Sequence, residues 1–157
     1  MNFNKEMKIQ IDQVYSFNCP ASFGTLPQSL INKLFTDGRR ASGFLERQLE
    51  LWFPELTFVD RKGYDHLDLV FQKYDAKCFT KRGAKFCPSN MQGVGRCVDQ
   101  EKLWEHAPQI VYIFCDIVDF PEVRIVYKRG TDLLKYPKGS IPFGDRNVLF
   151  AGLSDGN

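Results

Sequence analysis

Apolar and polar positions alternate most clearly in two neighbouring stretches of this chain, residues 66–72 and 74–80, with Lys73 and its polar neighbours between them. Both stretches are rich in β-branched and aromatic residues, so the pattern predicts a β-hairpin that turns at Lys73. Ahead of it, Leu45, Leu49, Trp52 and Phe53 follow the i, i+4, i+7, i+8 spacing of an apolar helix stripe. That helix is expected to start at Ser42 as N-cap and to stop at Pro54. A shorter helical pattern covers residues 26–35 and is ended by Asp37-Gly38. Residues 56–59 read as a strand followed by a turn at Gly63, and residues 8–17 fit a strand or a frayed helix. Further on, residues 99–106 form a short helix closed by Pro108. The run from residue 109 to 118 is apolar almost throughout, which predicts a central strand covered on both faces. Residues 123–127 give another strand, residues 130–136 a helical turn, and residues 148–151 a last apolar stretch. The order predicts a mixed α/β (α+β) architecture in which strands from distant parts of the chain share one sheet.

Composition narrows this picture modestly. A length of 157 residues, 43% apolar and 25% charged, suits one domain over residues 1–157 with a sizeable core. Cys19, Cys78, Cys87, Cys97 and Cys115 are odd in number and widely spaced. His66 and His106 stand outside zinc-finger spacing, so reduced thiols in a cytoplasmic protein are expected rather than a structural zinc. Residues 1–8 carry no apolar signal core, and no run approaches the length of a membrane span.

The net charge of +2 says little, but its distribution says more. From Lys77 to Arg96 there are five basic residues, Lys77, Lys81, Arg82, Lys85 and Arg96, and no acid. With Gly83, Gly93 and Gly95 allowing close approach, residues 80–96 suit a loop along a phosphate backbone. Ser89, Asn90 and Gln92 add donors and acceptors for phosphates or base edges. A second basic segment, Arg124, Lys128, Arg129, Lys135 and Lys138, is diluted by acids and reads as an exposed face.

Acids precede the basic loop. Asp75 and Lys77 are separated by one residue, so on a strand they share a face. Asp65 lies ten positions before Asp75, a spacing that lets a hairpin bring both to one sheet edge. Glu46, on the preceding helix, is placed to lean over that edge, with Glu50 one turn later as its competitor and Asp68 as the reserve for Asp65. Carboxylates suit a hard divalent cation, and a lysine beside it orients or activates a water. A D-x-K triplet alone is common; helix glutamate, glycine-preceded aspartate and strand D-x-K in that order are much less so. His66 is expected to be packed, Asp116 and Asp119 to be solvated turn acids, and Asp60 and Arg61 to be turn residues.

Glu46 in GFLERQLELWF, Asp65 in GYDHLD, and Asp75 with Lys77 in YDAKCF together resemble the PD-(D/E)xK nuclease superfamily, which includes most type II restriction endonucleases and several Holliday-junction resolvases. The motif resemblance spans residues 42–80 and reaches residues 109–118 by order of elements. It departs from the pattern in having Tyr64 where proline precedes the first acid, and Asp75 where glutamate is commoner. The resemblance implies a central mixed sheet of four to five strands flanked by helices. It implies a Mg²⁺-dependent DNA endonuclease of the restriction type, with Glu46, Asp65 and Asp75 holding one or two Mg²⁺ ions (Mn²⁺ as substitute) and Lys77 assisting the water. Double-stranded DNA is the implied substrate, and cutting both strands calls for a homodimer. The alternatives are a junction-selective resolvase and a non-catalytic DNA-binding module of nuclease-like fold.

Overall fold

A computed structural model describes residues 8–61, 63–87 and 99–153. Its centre is β6 (Ile110–Asp116), whose seven residues are all buried, as an apolar run without alternation requires. β6 pairs in parallel with β4 (Lys73–Phe79) and antiparallel with β7 (Glu122–Arg129). Outside these, β1 (Val14–Asn18) extends the sheet beyond β7, while β3 (Tyr64–Leu67) and β2 (Thr57–Arg61) extend it beyond β4. The order is β1-β7-β6-β4-β3-β2, so the mixed sheet has six strands where four to five were expected. The stretch left open between strand and helix supplies the added edge strand, β1. A separate two-stranded pair joins β5 (Ala84–Lys85) to β8 (Ser140–Ile141).

One face of the sheet is covered by α2 (Gly38–Trp52), whose Ala41, Leu45 and Leu49 sink into a core with Tyr15, Phe53, Tyr74, Val111, Ile113 and Tyr127. α1 (Gln28–Leu34) runs into α2 through a tight corner. The opposite face is filled by Phe79, Phe86, Tyr112, Phe114, Val126 and Leu133, with Leu103 of α3 (Gln100–His106) and Leu149 of α4 (Arg146–Leu149). Asp99 caps α3 by accepting from the Lys102 N–H. Among the described residues no helix is long and apolar enough to cross a membrane.

Two boundaries differ from the sequence reading. Asp37-Gly38 does not end a helix; it begins α2, with the Asp37 carboxylate accepting from the Arg39 N–H. Gly38 is suited to that place because a Cβ there would press on the Cβ of Cys78 at 3.0 Å, so the start of α2 lies directly on β4. The hairpin turns over residues 68–72 rather than at Lys73. Asp68 Oδ1 accepts from the Val70 and Gln72 N–H groups at 3.0 and 2.9 Å, its Oδ2 accepts from the Tyr74 hydroxyl, and Phe71 takes a left-handed φ of 63°. A carboxylate satisfying its own turn outweighed the apolar pattern, and Leu69, Val70 and Phe71 are left exposed at the tip.

Candidate active site

β3 stays paired with β4 over only two positions, His66 with Tyr74 and Leu67 with Lys73. Beyond them the register would set Asp65 opposite Asp75, but the strands part. The Asp65 carboxylate fills the opening, its Oδ2 accepting from the Ala76 N–H at 3.1 Å. A side chain thus replaces the missing ladder partner, and it is held at the mouth of the split. Along β4, Tyr74 is buried in the core under α2, with Ala76 and Cys78 packed against that core. Asp75 and Lys77 therefore face the other way, on one side, as a strand period of two dictates.

The three groups meet. Asp75, only 5% exposed, has its carboxyl within hydrogen-bonding reach of Asp65, and Lys77 Nζ lies 3.2 Å from Asp75 Oδ2. Burial pushes the Asp75 carboxyl up to about 7; Lys77 opposes this, and Asp65, as hydrogen-bond acceptor and like charge, reinforces it. Glu46 is also raised to about 7, by burial first and then by the charges of Asp65 and Asp60, with Lys77 opposing. Asp65 thus adds to the raising of both Glu46 and Asp75, a repulsion that a bound cation would relieve. Among the described residues no group of three or more His, Cys, Asp and Glu converges as a ready metal ligand set. Asp65 and Asp75 form a close carboxylate pair, and Glu46 faces it from α2.

The competitors go elsewhere. Glu50 stands 3.1 Å from Arg47 Nε, an ion pair short of hydrogen-bond geometry, and it does not line the cleft that contains Glu46. Asp68 is consumed by its turn and by Tyr74. His66 is fully buried, its Nε2 2.7 Å from the Glu46 carbonyl oxygen, with burial lowering its pKa; a neutral ring donating there ties α2 to β3 beside the split. Asp60 and Arg61 end β2, where the pairing with β3 slips and Asp60 has a positive φ. Asp116 is not solvated. It is 1% exposed and accepts from Arg124 and Arg146, while Asp119 pairs with Arg146 at the surface. In the second basic segment, Arg124 is thereby engaged, and Lys128 is paired to Asp12 at 2.7 Å.

Around the acids opens a cleft of about 1070 Å³ with Glu46, Asp65, Asp75 and Lys77 among its lining residues. Lys81, Arg82 and Lys85 line it, on the turn that leads from β4 into β5. Gly83 holds that turn at φ 80°, where a Cβ would run into the Ile141 carbonyl oxygen. Ser89, Asn90, Gln92 and Arg96 lie outside the described residues. Lys33, Thr36, Arg39 and Ser42 also line the cleft, from the α1–α2 corner. These were missed because residues 37–38 read as the end of a helix, and only the contact of Gly38 with Cys78 brings the corner over β4. Among the described residues, Cys19, Cys78 and Cys115 are free thiols, and burial raises all three, Cys78 to about 12. Comparison of the chain with protein-family models, with curated proteins and with solved structures finds no match.

Proposed function

We propose that this chain is a Mg²⁺-dependent DNA endonuclease, acting on the floor of the cleft between α2 and the split of β3 from β4. The observation that carries this reading is the proximity of the Asp65 and Asp75 carboxyls, with Lys77 Nζ 3.2 Å from Asp75 and Lys81, Arg82 and Lys85 lining the same cleft. The donor set fits the ion: the carboxylate oxygens of Asp65 and Asp75 are hard donors within reach of each other, and Glu46 lines the same cleft. Mg²⁺, with Mn²⁺ as substitute, supplies when bound a Lewis acid for the phosphate and a lowered pKa for an attacking water. Asp65 and Asp75 would hold it, and Glu46, facing them, would hold or orient one of its waters. Lys77 would orient the attacking water, whose oxygen forms a bond to phosphorus as the bond to the leaving sugar oxygen breaks. The water's proton passes to solvent and the leaving oxygen takes one up from solvent, giving a phosphate monoester and a sugar hydroxyl. DNA rather than another phosphodiester follows from the superfamily resemblance, as do restriction-type cutting and a homodimer.

Incubation with supercoiled, linear and four-way-junction DNA tests the reading. Cutting is expected with Mg²⁺ or Mn²⁺ and none in EDTA, with a loss of about a hundredfold or more in Asp75→Asn and Lys77→Ala. Fixed bands from linear DNA identify a restriction-type enzyme, and cutting confined to the junction a resolvase. Retention of DNA at low salt without metal-dependent cutting identifies a binding module and overturns the proposal.

A further inference from the structure

The acids occupy the cleft floor, while its unpaired cations come from two segments far apart in the chain. Lys81, Arg82 and Lys85 lie on the turn into β5, and Lys33 lies at the end of α1. None of these four has an ion-pair partner among the described residues. Arg39, beside Lys33 in the cleft lining, shares Asp37 with Arg40, so two guanidinium groups meet one carboxylate and the corner keeps a net positive charge. Thr36 and Ser42 add hydroxyls to the same wall. Gly38 seats this corner on Cys78 and Thr80, so the start of α2 is fixed to the strand that carries Asp75 and Lys77.

We propose that the α1–α2 corner, through Lys33 and Arg39, is a second phosphodiester contact, separate from the turn over residues 81–85. A strand held by both segments is gripped at more than one phosphate as it crosses the acids. The contact is to the backbone and carries no base sequence; its work is to fix register across the cleft. This inference rests on a nucleic-acid strand being the substrate, but not on its being cut.

The test is therefore binding in EDTA, followed by fluorescence anisotropy of a labelled duplex and of a labelled single strand over a range of salt. Lys33→Gln with Arg39→Gln is compared with the native chain and with Lys135→Gln, an exposed lysine outside the cleft lining. Each phosphate contact contributes about 0.9 to the slope of log affinity against log salt for a duplex and about 0.7 for a single strand. The double variant is expected to flatten the slope by roughly 1.4 to 1.8 and to weaken binding equally across sequences, with Lys33→Arg retaining the native slope. Lys135→Gln is expected to leave the slope unchanged. A double variant that flattens the slope no more than Lys135→Gln overturns the inference, as does a native chain that binds neither strand form. Metal-dependent cutting, scored separately, decides the catalytic reading: corner-dependent binding without cutting leaves this contact standing and removes the nuclease.

Discussion

Replacing Asp75 by Asn should stabilise the metal-free protein while abolishing cutting. Asp75 is buried against Asp65, and its carboxyl is raised from an ordinary 3.8 to about 7. An acid raised in the folded state holds its proton more tightly there than when unfolded, so stability falls as pH rises from about 4 to about 7 and stays low above. About three pH units at 1.36 kcal/mol each set an upper bound of roughly 4 kcal/mol. The Lys77 amine 3.2 Å away is lost as a partner in the Asn variant, and its side chain, 26% exposed, rehydrates readily. A net gain of about 2 kcal/mol at pH about 8 is therefore the expected result, with little gain at pH about 4.

The assay is urea unfolding of native and Asp75→Asn protein in EDTA at both pH values, read as the difference between the two proteins. The difference is needed because His66, lowered by burial, acts oppositely: stability that it contributes is lost as pH falls below its ordinary value of 6.5. Mg²⁺ should then restore stability to the native chain and not to the variant. A variant destabilised equally at both pH values, or equally responsive to Mg²⁺, would refute the argument that the carboxyl pair is strained when empty of cation.

Two further expectations concern the frame around the cleft. Asp116→Ala leaves Arg124 and Arg146 without the buried carboxylate they share, and should cost about 3 kcal/mol, less than a fully buried pair because both guanidinium groups reach solvent; the urea midpoint at neutral pH measures it. Gly83→Ala forces a Cβ toward the Ile141 carbonyl at a positive φ, and should cost about 2 kcal/mol while weakening DNA binding through displacement of Lys81 and Arg82, with far-UV circular dichroism of the rest unchanged.

How much of this was legible in the sequence depends on the range of the forces involved. Periodicity reported the elements that bury a face against the core: β6, the apolar stripe of α2, and the alternation that puts Asp75 and Lys77 on one side of β4. It misplaced features decided by single polar groups. Asp68 pulled the turn back to residues 68–72 by satisfying two backbone N–H groups, and Asp37 capped a helix that an Asp-Gly pair had suggested was ending. Asp116 was misread for a related reason. Nothing local distinguishes an exposed acid from one that two arginines approach, one of them from residue 146, after the chain has folded. The site itself shows both cases. The proximity of Asp65 and Asp75 could be expected from spacing, because a hairpin is a local device. The split that lets Asp65 take the Ala76 N–H, and the contact that sets the α1–α2 corner on β4, are tertiary and had no signature beyond Gly38. Lys33 and Arg39 were accordingly invisible as cleft residues, although the same contact that hid them is what places cations from a second segment beside the acids. A sequence reading of such a cleft therefore finds the floor before the rim, because the floor is built by strand period and the rim by packing.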